Sequence, residues 1–531
     1  MRVALVPLNP TVGAVTSNAK AIKGFVQDAI KENCDLVVFP EMSLIGYPAK
    51  DLVYFKELLN AQNKALKTLL PLSQKITIVV GGFVTNEKAG APFQNVLFAL
   101  QKGKTKTYAK QLLPNYDVFD DKRYFEPGTK PIALRIKGKK IGLSICEDLW
   151  FDDPKVAKRY KGQASWKAWK SEKYDLILNA SASPFEINKT KRRKELLAKA
   201  AKTLGCPIAY VNQLGGNDDL IFDGGGFVYS KSGKLLQNLP PFKESLFVWD
   251  IDHETAPTQE LGQNESIRQA LKLGISDYVK KSGFEKVVLG LSGGIDSALV
   301  AQLAAEAIGK ENVHGILLPS RYSSDHSLED AKSLSHNLGI SHEVISIQNL
   351  HEAYDTLFSK TFRTVKDLTA QNIQARIRSD ILMAHSNNTG ALLLNTTNKA
   401  EAAMGYGTLY GDLSGALSVI VDLTKTQVFA LARHMNPNFE FIPESIFTKA
   451  PSAELKPDQK DSDSLPAYER LDPVVTKFVE NFQIPKGQNK ALFRQMMINE
   501  YKRQQSPLSL KVSEKAFGSG RRLPIVQKMG S

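Results

Sequence analysis

The sequence predicts an α/β protein of two domains, the second of which is built on a doubly wound parallel sheet. The chain has 531 residues, which is more than a single hydrophobic core accommodates. Short apolar strands alternate with segments of helical periodicity along both halves. A stretch without periodicity at residues 253–264 reads as a linker, so we place the two domains at residues 1–252 and 265–531.

The composition is that of an ordinary globular protein. Hydrophobic residues make up 42% of the chain and charged residues 23%. No apolar run approaches the roughly 18 residues of a membrane span, so we expect a cytoplasmic protein without a membrane partner. Cys34, Cys146 and Cys206 have neither paired nor metal-ligand spacing, which argues against disulfides and a zinc site.

The formal net charge of +14 would suit a nucleic-acid-binding protein. The lysines and arginines are spread along the chain, however, and are not clustered with aromatic residues. We therefore expect a solvated basic surface that attracts anionic small substrates, and no nucleic-acid partner.

The first half is predicted to alternate strands and helices up to about residue 250. A helix is expected at residues 18–31. Buried strands are predicted at residues 3–8, 36–39, 76–82, 140–146 and 174–179. The glycine-rich stretch at residues 222–233 is expected to approach an edge strand with a hairpin turn, and we give it no chemistry.

Three of the predicted strand ends carry residues with useful chemistry: Glu41, Lys110 and Cys146. A cysteine becomes nucleophilic as its thiolate, a glutamate can take its proton, and a lysine can stabilise an oxyanion. Taken singly, each residue also has an ordinary structural explanation, such as a small core cysteine or a charge at a surface rim.

The segments around these residues resemble the nitrilase superfamily. The matching stretches are Phe-Pro-Glu41, Ala-Lys110 with Leu-Leu-Pro-Asn-Tyr116, Arg123-Tyr-Phe-Glu-Pro-Gly128 and Ile-Cys146-Glu-Asp. The resemblance implies an αββα sandwich in which Glu41 is the general base, Lys110 the oxyanion stabiliser and Cys146 the nucleophile. For the glutamine-using branch it implies glutamine binding by Tyr116, Ser183 and Lys189.

The chain departs from the nitrilase pattern at Asp121. Many members of the superfamily carry a second glutamate there, and aspartate is one methylene shorter. Two alternatives follow from the sequence. Asp121 either reaches Lys110 or the incoming amide, or it faces solvent beside Lys122 and Arg123.

The second half is organised around the stretch from Lys286 to Gly309. Val287 and Val288 predict a strand, the glycines of Ser292-Gly-Gly-Ile-Asp-Ser297 a turn, and the following apolar run a helix. Backbone N–H groups and the helix N-terminus then converge on one anion site. The Walker sequence Gly-Lys-Ser/Thr is absent, which excludes a kinase-type loop, and an ordinary tight turn is the structural alternative.

Further strand ends and loops complete this half. Strands are predicted at residues 313–318 and 391–395, and an amphipathic helix at 267–281. A second helix begins at Gln371, and glycines between 405 and 415 suggest close approach of a bulky ligand. Residues 450–466 carry charge and proline, and this composition predicts a solvated connection. The family resemblance described next implies a lid over the site instead.

These segments together resemble the NAD synthetase domain of the ATP pyrophosphatase family. The combination with a nitrilase-like first half is similar to the glutamine-dependent NAD synthetases. The resemblance implies ATP binding by Thr396 and by the loop Gly290, Leu291, Ser292, Gly293, Gly294, Ile295, Asp296 and Ser297. It implies magnesium at Asp296 and Glu401, and deamido-NAD binding by Asn372, Arg376, Glu401 and Lys511, with Lys515 as an alternative to Lys511.

The activity implied by the resemblance is amidation of deamido-NAD at the expense of ATP, with ammonia taken from glutamine and passed between the domains along an enclosed route. We also expect a homo-oligomer. The competing hypothesis from another class is a basic nucleic-acid-binding protein with decayed catalytic motifs. A linear fall of log affinity with log salt concentration, without ATP turnover, would support that alternative.

Overall fold

The structure is a computed structural model, and it describes residues 1–150, 158–160, 165–251, 260–450, 452, 454–457, 459, 465–485 and 487–526. The chain divides into two compact units, Met1–Leu261 and Gly262–Ser531. The boundary falls inside the predicted linker, of which residues 253–259 lie outside the described residues. Residues 263 and 264 of that linker are already helical.

Among the described residues of the first unit, thirteen strands form two sheets. The first sheet has the order β13-β1-β2-β3-β4-β5, with β1 Arg2–Leu5, β2 Leu36–Val38, β3 Thr77–Thr85, β4 Phe93–Gln101, β5 Lys104–Ala109 and β13 Phe247–Asp250. The second has the order β10-β11-β9-β8-β7-β6, with β6 Ala133–Ile136, β7 Lys139–Ile145, β8 Leu176–Ser181, β9 Ile208–Asn212, β10 Leu214–Asn217 and β11 Leu220–Tyr229, and β12 Leu235–Pro241 pairs with β11. The helices are α1 Val15–Lys31, α2 Lys56–Leu69, α3 Asp121–Tyr124, α4 Ser165–Glu172 and α5 Lys189–Leu204.

Alternating side chains on the strands build the layers of this unit. Val3 and Leu5 of β1 belong to a core that also contains Leu143 and Leu178 of the second sheet. Ala4, between them in sequence, belongs to a second core, which contains the buried side chains of α1. Because successive side chains of a strand point to opposite faces, one face of the first sheet packs against the second sheet and the other against helices. The αββα sandwich is confirmed.

The predicted strands of this unit are all present, with ends that differ by at most three residues. The prediction of an edge strand at residues 222–233 is wrong. β11 pairs along one side with β9 and with β10, which continues β9 in the same register, and along the other side with β12, and the hairpin turn lies between β11 and β12. The glycines suit this crowded position, since a Cβ on Gly226 would lie 2.4 Å from the carbonyl oxygen of Tyr210.

The second unit contains a six-stranded parallel sheet within the part of the chain that the structure describes. Its order is β16-β15-β14-β17-β18-β19, with β14 Val287–Gly290, β15 Val313–Leu317, β16 Ser341–Val344, β17 Leu392–Asn395, β18 Leu417–Ser418 and β19 Leu508–Ser509. The helices are α6 Gln263–Lys281, α7 Ile295–Ile308, α8 Asp325–Leu338, α9 Gln348–Thr361, α10 Asp367–Thr389, α11 Lys399–Met404, α12 Lys425–Met435, α13 Glu444–Thr448, α14 Tyr468–Asn481, α15 Lys490–Ile498 and α16 Glu500–Arg503. The predicted parallel sheet is confirmed.

The strand order reverses beside β14, because β15 lies on one side of it and β17 on the other. In open parallel sheets such a reversal opens a crevice at the carboxyl ends of the strands. The predicted anion loop follows β14 directly, so it lies at this crevice. Within the described ranges, no helix combines the length and the apolar character that a membrane crossing requires.

Gly81 of β3 offers a test of how the fold holds the segment around Glu41. A Cβ at Gly81 would lie 2.2 Å from the backbone nitrogen of Met42 and 2.5 Å from the carbonyl oxygen of Pro40. We expect Gly81→Ala to push this segment away and to cost about 1–3 kcal/mol of stability, as overpacking does. The measurement is the thermal unfolding midpoint of the full chain.

Gly24→Ala is the matched control for this prediction. Gly24 lies inside α1, and a Cβ there would have no neighbour within 4 Å. Alanine should stabilise this helix position by up to about 1 kcal/mol. Equal unfolding midpoints for the two variants would contradict the close approach at Gly81.

Candidate active sites

The ammonium group of Lys110 lies between two carboxylates in the first unit. Its Nζ donates hydrogen bonds to Glu41 Oε1 and Asp121 Oδ2, each at 2.7 Å. The exposed fractions are 1% for Lys110 and Glu41 and 2% for Asp121, so the cluster is dry. Glu41 follows β2, Lys110 follows β5 and Asp121 begins α3.

The contact with Lys110 decides between the two alternatives for Asp121. Its second oxygen, Oδ1, accepts a hydrogen bond of 2.8 Å from the Tyr47 hydroxyl. The carboxylate therefore faces the buried cluster and not the solvent beside Lys122 and Arg123. Aspartate is long enough to reach the lysine despite the missing methylene.

Glu41 is held by three donors. Besides Lys110, the side-chain amide of Asn95 donates to its Oε1 at 2.7 Å and the backbone N–H of Ala182 donates to its Oε2 at 2.9 Å. Burial raises the pKa of Glu41, Lys110 lowers it and Asp121 raises it, with a net upward shift. A carboxylate with a raised pKa is better suited to accept and return a proton near neutral pH.

Lys110 stays charged in this environment. Burial alone would lower the pKa of its ammonium group, but the negative charges of Asp121 and Glu41 outweigh burial and raise it well above the usual value. A fixed positive charge in a dry site is what the stabilisation of an oxyanion requires.

Cys146 lies at the carboxyl end of β7, in the second sheet of the sandwich. Its backbone has φ of +45°, an unusual value for a residue with a side chain, and its exposed fraction is 2%. Burial and the charge of Glu41 raise the pKa of the thiol, whereas Lys110 lowers it. Glu41 also bonds to Ala182, which follows β8, and β8 pairs with β7 up to Ile145, so the fold brings the segments of the three predicted residues together.

The three predicted glutamine-binding residues have different surroundings. The Tyr116 hydroxyl donates to a carboxylate oxygen of Glu147, and Lys189 Nζ donates to Glu186 Oε1 at 2.7 Å. Ser183 Oγ is buried and has no hydrogen-bond partner among the described residues. Burial of a hydroxyl without a hydrogen bond costs free energy unless a ligand supplies the partner. This agrees with Ser183 as a contact for a polar substrate.

Sequence reasoning missed the carboxylate of Glu147. Besides Tyr116, the Tyr160 hydroxyl donates to it at 2.8 Å, and burial raises its pKa. The only sequence signal was its place directly after Cys146.

A cavity of about 330 Å³ marks the second candidate site, in the second unit. The predicted residues that line it are Gly290, Leu291, Ser292, Gly294, Ile295, Asp296, Ser297, Thr396 and Glu401. Gly293 does not line the cavity. It has φ of +72°, and a Cβ there would lie 2.2 Å from the carbonyl oxygen of Ser327, so only glycine fits this turn.

The two predicted magnesium ligands meet at Asn398. The Asn398 side-chain amide donates to Asp296 Oδ1 at 3.2 Å, and its backbone N–H donates to Glu401 Oε2 at 3.1 Å. Magnesium in nucleotide sites is usually held by one or two carboxylates together with phosphate oxygens. The pair of hard oxygen donors at the cavity wall fits that ion. Lys425 forms an ion pair with the other oxygen of Asp296.

Three cations that the sequence reasoning did not single out also line the cavity: Arg378, Lys425 and Lys449. Burial lowers the pKa of Arg378 to about 10, which leaves it charged at neutral pH. Lys449 Nζ lies 2.9 Å from Asp330 Oδ2. A cavity with several positive groups is suited to a polyanionic ligand.

Three residues predicted to bind deamido-NAD do not line this cavity. Asn372 Oδ1 accepts from the Thr408 hydroxyl at 2.8 Å, and Arg376 Nε donates to the carbonyl oxygen of Leu409 at 3.2 Å. Both side chains of α10 therefore hold the loop that leads to Gly411 and Asp412, two residues of the cavity wall. Lys511 is buried, and its Nζ donates to the carbonyl oxygen of Ser513 at 2.7 Å.

Part of the segment at residues 450–466 reaches the cavity. Glu454 Oε1 accepts hydrogen bonds from the hydroxyls of Ser324 at 2.9 Å and Ser327 at 2.7 Å, and Glu454 lines the wall with Ser452 and Leu455. This position agrees with a lid. Residues 451, 453, 458 and 460–464 of the segment lie outside the described residues.

A pair of histidines lies apart from both sites. His385 Nδ1 is 3.1 Å and His314 Nε2 is 3.5 Å from Glu343 Oε1, and the two rings stack at 4.7 Å with an angle of 4°. Imidazole nitrogens bind metals in the plane of the ring. The lone pairs of two parallel, stacked rings do not converge on one ion, so this arrangement does not suit a metal.

The electrostatics around Cys146 predict the effect of two substitutions on its reactivity. Glu41→Gln removes a negative charge that raises the pKa of the thiol, so alkylation of Cys146 at fixed pH should become faster. Lys110→Gln removes a charge that lowers this pKa and should slow alkylation. Each unit of pKa shift changes the thiolate fraction roughly tenfold at a pH below the pKa.

The measurement is the rate of iodoacetamide labelling of the peptide that contains Cys146, followed by mass spectrometry between pH 7 and pH 10. The buried Cys34 and Cys206 serve as internal controls. The opposite order of the two variants would contradict the placement of the thiol between these charges.

Comparisons with known proteins match both halves of the chain. The carbon-nitrogen hydrolase family matches residues 2–259, and the NAD synthase family matches residues 267–506. The chain is 42% identical over 550 residues to the glutamine-dependent NAD(+) synthetase of a Synechocystis species, covering 99% of this chain and 98% of that relative. The corresponding protein of Acinetobacter baylyi is 38% identical, with 99% and 98% covered.

A solved structure supports the same assignment. The structure of glutamine-dependent NAD+ synthetase from Acinetobacter baumannii in complex with adenosine diphosphate is 35% identical to this chain, with a TM-score of 0.79. The match covers 99% of this chain and 98% of that one. On its sequence and its fold over the full length, the chain belongs to the family of glutamine-dependent NAD(+) synthetases.

Proposed function

We propose that this chain converts deamido-NAD to NAD, with ATP as the source of activation and glutamine as the source of nitrogen. The observation that carries the proposal is that one chain holds both the buried Glu41–Lys110–Cys146 cluster and a cavity walled by the Ser292–Ser297 loop. Each site serves one half of the reaction.

In the first half, the Cys146 thiolate attacks the side-chain amide carbon of glutamine. Glu41 accepts the thiol proton and returns it to the leaving ammonia, while Lys110 stabilises the oxyanion. Water, activated by Glu41, then hydrolyses the thioester and releases glutamate. Tyr116, Ser183 and Lys189 bind the glutamine, and the unpartnered Ser183 Oγ is the strongest support for this pocket.

In the second half, the nicotinate carboxylate of deamido-NAD attacks the α-phosphate of ATP, which gives an adenylate and pyrophosphate. Ammonia from the first half attacks the activated carbonyl and displaces AMP. ATP is bound by Thr396 and by the loop from Gly290 to Ser297. The backbone N–H groups of this loop and the N-terminus of α7 favour phosphate. Asp296 and Glu401 would hold Mg²⁺, which when bound supplies positive charge against the pyrophosphate.

Asn372, Arg376 and Lys511 belong to the proposed substrate site although they do not line the cavity. Asn372 and Arg376 hold the 408–409 loop, so they support the wall of the cavity from behind. Glu401 lines the wall itself. Asn372, Arg376 and Lys511 are proposed to contact the part of deamido-NAD that extends beyond the cavity.

The proposal includes a cytoplasmic homo-oligomer. Helix α9 exposes Leu350 and Leu357, which are seven residues apart and therefore lie on one face, and Phe362 follows directly after the helix. Exposed apolar side chains of this size are typical of surfaces that associate.

Product analysis tests the proposal as a whole. The full chain is incubated with ATP, deamido-NAD, magnesium and glutamine, and we expect AMP, pyrophosphate, glutamate and NAD in equal amounts. Nucleic-acid binding that weakens with salt, without any of these products, would instead support the alternative of a nucleic-acid-binding protein.

Cys146→Ala should separate the two half-reactions. Because the thiol serves only the release of ammonia, the variant should lose glutamine-supported NAD synthesis and keep synthesis with added ammonium close to the wild-type rate. Cys206→Ala is the control, since that cysteine is buried away from the charge cluster. Equal losses with both nitrogen sources would contradict the division between the two units.

Asp296→Asn should slow pyrophosphate release with either nitrogen source. The substitution keeps the shape of the side chain but removes a magnesium ligand and the ion pair with Lys425, so we expect at least a ~10-fold loss. Asp277→Asn on α6 is the control, because Asp277 pairs with Lys281 and does not line the cavity. Full activity of Asp296→Asn with ammonium would show that the loop does not serve ATP.

A further inference from the structure

We propose that Asp148 is the positioning residue that fixes Lys110 and Cys146 relative to each other. Asp148 is not one of the three residues assigned to the chemistry, and its carboxylate contacts the backbone of both segments that carry them. The inference rests on the proposed function in so far as it concerns glutamine hydrolysis.

One oxygen of Asp148 holds the segment that follows Lys110. Asp148 Oδ1 accepts hydrogen bonds from the backbone N–H groups of Gln111 at 3.0 Å and Leu112 at 2.9 Å. These residues come after the end of β5, where strand pairing no longer satisfies the backbone. The carboxylate replaces the missing strand partner at the two positions directly after the lysine.

The other oxygen of Asp148 accepts hydrogen bonds from one residue before Lys110 and from one before Cys146. Asp148 Oδ2 accepts from the backbone N–H of Ile145 at 2.9 Å and from the Tyr108 hydroxyl at 2.6 Å. Ile145 directly precedes Cys146, and Tyr108 lies two residues before Lys110. Lys110 is thus bracketed from both sides by donors to the same carboxylate, and that carboxylate also holds the residue before the nucleophile.

The four donors are neutral, and Asp148 is fully buried. A buried carboxylate that accepts hydrogen bonds from neutral donors on β5, directly after β5 and on β7 fixes these segments relative to one another. Its partners span the two sheets, because β5 belongs to the first sheet and β7 to the second. Within the described part of the chain, β5 and β7 do not pair with each other. The Asp148 carboxylate therefore links the two strands at the site through its hydrogen bonds.

Asp148→Asn tests this inference. An amide offers one acceptor oxygen in place of two, so at least one backbone N–H loses its acceptor and faces an NH₂ group. We expect kcat for glutamine hydrolysis to fall ~100-fold, as for a misplacement of about 1 Å, with an unchanged KM for glutamine. Synthesis with ammonium should stay at the wild-type rate.

The alkylation rate of Cys146 adds a readout that a purely structural role would not change. If Lys110 moves away from the thiol, the thiolate becomes less favourable, and alkylation should slow and shift to higher pH. If Asp148 acted only through its negative charge, its removal would have the opposite effect and speed alkylation.

Gln62→Leu is the control for loss of stability alone. Gln62 is a buried side chain of the same unit whose hydrogen bonds go to the backbone N–H and carbonyl of Phe83, at 2.9 and 2.8 Å. Its variant should lower the unfolding temperature but leave kcat and the alkylation profile unchanged. Equal changes in Gln62→Leu and Asp148→Asn would overturn the inference, as would an unchanged kcat in Asp148→Asn.

Tyr108→Phe decides the question if Asp148→Asn does not fold. It removes one donor and leaves the three backbone hydrogen bonds, so kcat should fall by a smaller factor at unchanged KM, and an unchanged kcat would overturn the inference. A different result would contradict the proposed function and not the inference on Asp148: the wild-type chain itself would release no glutamate from glutamine. In that case the alkylation profiles alone decide whether Asp148 positions the thiol and the lysine.

Discussion

The first unit depends on a buried ammonium group between two buried carboxylates. Removal of one partner from such a pair typically costs about 3–5 kcal/mol, because a charge is left in a dry environment. Lys110 therefore requires both Glu41 and Asp121, and each of them comes from a different segment of the chain. The strands, the turn after β2 and the short helix α3 must all be in place before the ammonium group is satisfied. The same requirement fixes a charged group at the point where an oxyanion would form.

The second unit uses a related arrangement with a different purpose. Asp296 is paired with Lys425 and bonded to Asn398, so its carboxylate is fixed before any ligand arrives. Here the cluster lies in the wall of a cavity and not inside a core, and further cations line the same wall. Fixed dipoles and charges of this kind cost little reorganisation when the reaction occurs.

The two clusters explain how one chain can serve two reactions with incompatible needs. Formation of the thioester relies on the fixed charges of Glu41 and Lys110, which act most strongly where bulk water is excluded. An adenylate requires space for a nucleotide and its metal. The sandwich supplies the first environment, because its nucleophile lies between two sheets that are covered by helices. The open parallel sheet supplies the second environment at the carboxyl ends of its strands.

The sequence by itself determined the main strands, the glycine turn after β14 and the residues that end the strands, because periodicity and glycine positions are local properties. It also determined the family, since the motifs occur in a fixed order. Only the tertiary structure decided that Asp121 contacts Lys110 and that β11 lies inside its sheet. It also decided which side of α10 faces the cavity. Asn372 and Arg376 do not line it, whereas the lining includes Ala375, Arg378 and Ser379. The cavity-facing side chains are offset from the others by about a quarter turn of the helix. Such a rotation depends on packing between segments that are distant in sequence, and motif spacing contains no information about it.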